Sequence, residues 1–219
     1  SADIKEYIGV VFDEMNFSHQ LHVHHLNRVC KKVYKNWDES VFHEYMKRFS
    51  LPTGVNIGDF SRGMSMKLSL AVALSHDAKL LLLDEATAGL DPVAREDIVE
   101  VLRDFVRDQK RSILMSSHIT SDLETLADRL MFIKDGRLLL QVDKEELINS
   151  FGIVTCSEET FSSINPGIIL SSMKTGNMIE LLVSDKRKVE HIQVTSPDSL
   201  DHVSVLLMKG EPYDWTRIK

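Results

Sequence analysis

Two adjacent carboxylates, Asp84 and Glu85, directly follow the run of leucines Leu80–Leu83. A wholly apolar run of this length is typical of a buried strand, and open α/β sheets bind their ligands at the carboxyl ends of their strands. One carboxylate at such a place can hold Mg²⁺ while its neighbour orients a nucleophile. The pair therefore predicts metal-assisted water chemistry, with a solvated strand end as the alternative.

A histidine and a helix start add groups that suit a phosphate. His118 follows the next apolar strand, and parallel neighbouring strands would bring it beside Glu85. Ser61 is the expected N-cap of a helix that starts at about Arg62, where free backbone amides attract anions. Gly63 permits close approach, and Arg62 adds positive charge. A surface or helix-capping histidine is the alternative for His118.

The elements around these residues alternate between buried strands and amphipathic helices, which predicts a parallel sheet covered by helices. The expected strands are Ile8–Phe12, Lys79–Leu83 and Ser112–Ser116. The expected helices between and after them include Pro92–Arg107 and Asp122–Ala127. Asp91 is the expected N-cap of the first of these helices, because proline is favoured at the first helical position.

The later part of the chain has a different pattern. Asp135-Gly136 between two apolar runs predicts a tight hairpin, and Gly152 is expected to end the following helix in the left-handed conformation. Ser121 with Glu124 predicts a capping box. Beyond Gly152, short strands and a helix over Pro197–Met208 predict a small α+β appendage.

Composition limits the class of protein. The chain has 219 residues, 43% of them hydrophobic and 27% charged, and a formal net charge of −7, so we expect a well-cored protein that does not bind nucleic acid. No apolar run approaches the roughly 20 residues that span a bilayer. Its two cysteines, Cys30 and Cys156, fit a reducing, cytosolic setting. Because the sequence starts with Ser1 and not with methionine, we expect it to lie inside a longer gene product.

Four motifs, in order, resemble those of the ATPase subunit of an ABC transporter. They correspond to the signature motif, the Walker B strand with its catalytic glutamate, the D-loop and the H-loop: Phe60–Met64, Leu80–Glu85, Ala88–Pro92 and Ser117-His118. The resemblance covers about Asp3 to Phe151. It implies a partial P-loop NTPase-like α/β core over residues 1–151, with a helical subdomain at about 19–76, and leaves residues 152–219 as the small α+β domain.

The resemblance also implies a chemical role for individual residues. Asp84 would support Mg²⁺, Glu85 would polarise the water that attacks ATP, and His118 would contact the γ-phosphate. Asp13 stands where the family has its Q-loop glutamine, and it is assigned to the metal as well. ATP and Mg²⁺ are thus the expected ligands.

The implied assembly is a dimer of nucleotide-binding subunits, identical or different. Ser61, Arg62 and Gly63 would face the ATP held by the partner subunit, and Asp91 would communicate across the dimer. Transmembrane transporter subunits would hold the dimer at the cytosolic face of the membrane. The signature has Phe60, Arg62 and Met64 in place of the commoner Leu, Gly and Gln, a variant that is similar to drug- or peptide-export ATPases, so export is expected.

The family's Walker A loop has no counterpart in this sequence. No glycine of the chain is followed by lysine, and Gly58–Ser65 matches the phosphate-loop pattern only superficially because Met64 replaces the lysine. We therefore expect the loop upstream of Ser1, and we expect the chain alone to bind ATP weakly and to hydrolyse little. The alternatives are an ABC-type ATPase without a transport role and an inert interaction fragment.

Overall fold

The computed structural model describes residues 2–14, 17–189 and 191–212, and the chain divides into two compact units, Ser1–Asp122 and Leu123–Lys219. This boundary differs from the one expected between residues 151 and 152, which stays a prediction. Ser1 and residues 213–219 lie outside the described residues. Within the described part of the chain, no helix has the length and apolar character needed to cross a membrane.

The first unit contains a parallel sheet and most of the helices. Its strands are β1 (Ile8–Val11), β2 (Leu80–Asp84) and β3 (Ser112–Ser116). Its helices are α1 (Ala2–Lys5), α2 (Val23–Val33), α3 (Glu39–Arg48), α4 (Arg62–Leu74), α5 (Pro92–Val106) and α6 (Thr120–Leu126), the last of which contains the unit boundary. A single 3₁₀ turn at Ile57–Asp59 precedes α4.

Both strand pairs of the sheet are parallel, as the alternating pattern predicts, and the order β1-β2-β3 makes β2 the central strand. Leu81 of β2 lies opposite Gly9 on one side and Ile113 on the other. The packing at Gly9 leaves no room for a side chain, since an added Cβ would lie 2.6 Å from Leu81 Cδ2 and 2.9 Å from the Ala73 carbonyl oxygen. The centre of the sheet is therefore closely packed against α4.

Side-chain oxygens cap the N-termini of the two helices that precede and follow the central strand in sequence. The Ser61 hydroxyl accepts a hydrogen bond from the Met64 amide at 3.3 Å at the start of α4. The Asp91 carboxylate accepts from the Val93 and Ala94 amides, both at 3.0 Å, at the start of α5. Both N-caps are at the positions that the sequence predicts, because capping depends only on residues within one helical turn.

The second unit is an antiparallel α+β unit. Its strands are β4 (Arg129–Lys134), β5 (Arg137–Asp143), β6 (Gly152–Cys156), β7 (Ile169–Thr175), β8 (Met178–Val183), β9 (Val194–Thr195) and β10 (Glu211–Pro212). Its helices are α7 (Lys144–Ser150), α8 (Glu158–Phe161) and α9 (Leu200–Lys209), with 3₁₀ turns at Pro166–Ile168 and Lys186–Lys188. β4 and β5 form a hairpin, and the other strands form a sheet in the order β10-β7-β8-β6-β9.

The core of the second unit explains why the boundary precedes the hairpin. Leu147 and Phe151, which follow the hairpin, pack in one buried cluster with Leu182 and Val203 from beyond residue 152. The Asp135-Gly136 turn adopts the predicted tight form, with φ of 49° and 72°. Residues on both sides of residue 152 therefore share a single core.

Two local predictions are wrong. Ser121 lies inside α6, which begins at Thr120, and the Glu124 carboxylate accepts a hydrogen bond from the Leu200 amide at 2.8 Å instead of closing a capping box. Gly152 is the first residue of β6 and is not left-handed. It needs to be small because a Cβ there would lie 2.4 Å from Val194 Cγ1.

Candidate functional site

Asp84 and Glu85 lie at the carboxyl end of the central strand β2, and Ser116 at the end of β3 holds both. The Ser116 hydroxyl donates to Asp84 Oδ1 at 2.6 Å, and the Glu85 amide donates to the Ser116 hydroxyl and carbonyl oxygens, each at 3.2 Å. The sequence pattern indicates Ser116 only as the last residue of a strand. Its register opposite Asp84 is the signal that could have identified this contact.

The structure places His118 beside Glu85, where the strand order predicts it. His118 Nδ1 lies 2.7 Å from Glu85 Oε2, and the His118 amide donates to the same oxygen at 3.4 Å. The His118 side chain is 71% exposed, so its remaining ring nitrogen is open to solvent. The Glu85 carboxylate is thus oriented by a histidine that can still reach a second group.

The backbone of Glu85 is held in the left-handed region, with φ of 51°. This conformation costs about 1–2 kcal/mol for a residue that carries a Cβ. Such strain clusters at active sites and ligand clamps, where the surrounding structure compensates for it. Here the double hydrogen bond from the Glu85 amide to Ser116 provides part of that compensation.

A buried ionic network fixes the loop that follows Glu85. The Thr87 hydroxyl donates to Asp122 Oδ2 at 2.5 Å, and Arg95 donates to Asp122 Oδ1 from Nε at 2.8 Å and from Nη2 at 2.7 Å. Asp122 is only 3% exposed. This network, which connects the loop before α5 to the first turn of α6 just after His118, was not predicted from the sequence.

The predicted dimer-facing residues Ser61, Gly63 and Asp91 lie together at the starts of α4 and α5. An added Cβ on Gly63 would lie 3.2 Å from the Ala94 Cβ, so Gly63 lets the two helices approach closely. The amides of Ala94 and Val93 donate to the Asp91 carboxylate and lower the pKa of Asp91. These residues therefore have local structural roles, whatever they contact in an assembly.

Arg62 and Asp13 contact each other. Arg62 Nη2 donates to Asp13 Oδ1 in an ion pair, although 49 residues separate the two in sequence. The Arg62 guanidinium also lies against Gly89, where an added Cβ would be 3.4 Å from the Arg62 Nε and Cζ atoms. Sequence reasoning assigned both residues to the site without predicting this contact.

An open cavity of about 310 Å³ adjoins the ion pair. Its lining includes the charged Asp13 and Arg62 and the larger side chains Phe12, His19, Phe60 and Met66. The end of β1 and the start of α4 thus border a cavity of mixed polar and apolar character.

The donor set of the site suits a magnesium ion that arrives with a nucleotide. Within the described residues, no group of three or more His, Cys, Asp and Glu side chains is arranged to hold a metal ion. Mg²⁺ is usually bound by one or two carboxylates together with water and substrate phosphates. Asp84 is exposed and has one oxygen fixed by Ser116, so it can act as such a ligand.

Comparisons with known proteins agree with this fold. The ABC transporter family model matches residues 1–88. The ABC transporter ATP-binding protein YtrB of Bacillus subtilis is 32% identical over 119 residues, which are 54% of this chain and 41% of YtrB. The lantibiotic transport ATP-binding protein SrtF of Streptococcus pyogenes is 38% identical over 100 residues, 43% of each chain. The chain therefore spans less than half the length of these two relatives.

A solved structure supports the same fold. It is a dimeric, post-hydrolysis state of the ATP-binding cassette MJ0796 bound to ADP and Pi, which superposes with a TM-score of 0.55 at 19% identity over 62% of each chain. At this identity the likeness concerns the fold alone. Taken with the matches in sequence, it leads to one conclusion: residues 1–88 match the ABC transporter family model, and the chain is similar in sequence and fold to ATP-binding proteins of ABC transporters.

Proposed function

We propose that this chain contributes the hydrolytic residues of an ATPase that drives an ABC transporter. The observation that carries the proposal is the contact between Glu85 and His118 at the carboxyl end of the central strand, next to Asp84. In this proposal Glu85 accepts a hydrogen bond from the attacking water and thereby orients it towards the γ-phosphate of ATP.

His118 is proposed to contact the γ-phosphate through Nε2. An ionised Glu85 carboxylate only accepts hydrogen bonds, so its partner atom His118 Nδ1 carries a proton. Nε2 can then donate to a phosphate oxygen only when the ring carries both protons. The phosphate contact therefore requires a proton on each ring nitrogen.

Asp84 is the proposed ligand of Mg²⁺, with Ser116 holding the carboxylate in place. A bound Mg²⁺ would neutralise part of the negative charge on the phosphates. Asp13 is proposed as a further metal-side residue, in direct contact or through water. Because Asp13 is paired with Arg62, a cation that binds its carboxylate has to compete with the guanidinium.

The proposed working unit is a dimer in which Ser61, Arg62, Gly63 and Asp91 face the ATP of the partner subunit. The dimeric state of the MJ0796 neighbour supports this assembly. Transmembrane subunits are the proposed partners of the helical subdomain at about residues 19–76, and they would hold the protein at the cytosolic face of the membrane. The name of SrtF, a lantibiotic transport ATP-binding protein, supports a transport role, and export is proposed as the direction.

The 219 residues contain no Gly-Lys pair, so the loop that cradles the phosphates is proposed to come from sequence outside them. The chain alone should then bind ATP weakly and be inactive. An ABC-type ATPase without a transport role and an inert interaction fragment remain the rival functions.

Steady-state Mg-ATP hydrolysis tests this proposal. We would compare the 219-residue chain with the protein expressed from the full reading frame of its gene, each with and without the co-expressed membrane subunits. Hydrolysis by the longer protein and none by the 219 residues is the expected result. Submillimolar ATP affinity of the 219-residue chain in titration calorimetry would contradict the weak binding. Inactivity of the longer protein with its membrane subunits would favour the inert rival, and activity that never responds to those subunits would favour the non-transport ATPase.

A further inference from the structure

Two positions where this sequence departs from the family pattern form a contact with each other. Asp13 stands in place of the Q-loop glutamine, and Arg62 stands in place of a signature glycine. In the structure, Arg62 Nη2 donates to Asp13 Oδ1. A glycine at position 62 could not make this contact. The two residues that differ from the family pattern therefore carry opposite charges that pair with each other.

The location of Arg62 allows it to connect three segments. It is the first residue of α4, directly after the N-cap Ser61. Its guanidinium reaches Asp13, two residues beyond the end of β1, and lies against Gly89 in the loop between β2 and α5. Gly89 has φ of 67°, where a glycine is favoured, and a Cβ built there would lie in ordinary contact with the guanidinium, 3.4 Å from Arg62 Nε and Cζ.

We infer that Asp13 and Arg62 are a positioning pair, in which Arg62 holds the segment after β1 against the start of α4 and the loop before α5. Its importance for ATP hydrolysis rests on the function proposed above. In that setting the pair links the metal-side residue Asp13 to the residues Ser61 and Gly63 that face the partner's nucleotide. Arg62 thus acts through Asp13 within its own chain.

The ion pair contributes only a modest free energy because both side chains are about half exposed, at 50% for Arg62 and 47% for Asp13. Exposed ion pairs shift an equilibrium roughly 1.4- to 5-fold. That range is enough to bias the position of a loop without determining whether the protein folds. Substitutions at the pair should therefore leave a folded chain on which positioning can be measured.

A double-mutant cycle read by hydrogen exchange tests the pair in the 219-residue chain. We would compare Asp13→Asn, Arg62→Gln and the double variant, following a peptide over residues 8–14. Each single variant should accelerate exchange roughly 1.4- to 5-fold, and the double variant no more than the faster single. The control is Asp104→Asn, which breaks the separate ion pair with Arg48 and should leave this peptide unchanged. Strictly multiplicative effects, or no effect, would overturn the inference.

A second readout separates positioning from general stability in the hydrolysing full-length protein. Both single variants, Asp13→Asn and Arg62→Gln, should raise KM for Mg-ATP at least about 2-fold, and the double variant should raise KM no further than the larger of the two singles. KM effects that simply multiply in the double variant refute the positioning role. If the wild-type protein hydrolyses no ATP, the proposed function fails. The double-mutant cycle measured by hydrogen exchange still decides whether the pair exists.

Discussion

Replacing Asp122 with alanine should destabilise the first unit strongly, because it breaks a buried ionic network. The change removes the acceptor for the Thr87 hydroxyl and for two nitrogens of Arg95. Removing one partner of a buried ion pair costs about 3–5 kcal/mol, because a charge is left unpaired. The Arg95 side chain is 30% exposed and can regain some hydration, so we expect a loss of about 3 kcal/mol, the low end of that range.

This loss of unfolding free energy can be measured for the first unit alone by a urea titration that is monitored through hydrogen exchange of peptides from α5. With an m-value of about 2 kcal/mol/M, the midpoint should fall by roughly 1.5 M. Asp122→Asn, which keeps an acceptor oxygen, should cost less. In an Arg95→Ala background the effect of Asp122→Ala should shrink, because no guanidinium is left unpaired. A midpoint change below about 0.3 M for Asp122→Ala would refute the view that this network fixes the loop after Glu85.

Three further outcomes follow from packing and from pKa values. Gly9→Ala should lower the free energy of unfolding by about 1–3 kcal/mol through overpacking, whereas Gly54→Ala, where an added Cβ meets nothing within 4 Å, should be nearly neutral in the same urea titration. The pKa of Asp91 is lowered in the folded protein, so the ionised carboxylate stabilises the fold fully above the ordinary aspartate pKa of about 3.9. This stabilisation is lost as the pH falls through the pKa of Asp91 in the folded protein. The wild-type and Asp91→Ala midpoints should therefore differ at neutral pH and converge in acid; an equal difference at both would contradict the capping contacts. Burial raises the pKa of the Cys30 thiol to about 11, so in a Cys156→Ser background alkylation at mildly alkaline pH should be slow until urea unfolds the chain. Rapid alkylation of the native chain would show that Cys30 is accessible.

The sequence predicts the elements that carry the site because their signals are local. A run of leucines indicates a buried strand, and Ser61 and Asp91 each cap a helix that starts at the next residue. The order of strands along the chain then brings His118 beside Glu85. Each of these inferences uses only residues within one element or the general rule that parallel strands end at the same edge.

The polar contacts that hold the site together have no such local signal. Arg62 and Asp13 are 49 residues apart, and Thr87 and Asp122 are 35 apart. Any of several charged residues could serve as either partner, and a hydrogen bond leaves no periodicity in the sequence. The capping prediction for Ser121 was wrong for a related reason, since helix α6 begins at Thr120, two residues earlier than the pattern indicates.

The hydrolytic role of Glu85 is the central claim, and its most direct test is the kcat of the Glu85→Gln variant in the full-length protein with its membrane subunits. A carboxylate that orients and polarises the attacking water acts as a general base, and loss of a general base lowers the rate about 10²–10⁴-fold. The control is Glu96→Gln on the exposed face of α5, which should keep wild-type activity. A fall in kcat of at least about a hundredfold for Glu85→Gln alone is the predicted result. A Glu85→Gln variant that keeps more than about a tenth of the wild-type kcat would contradict the account.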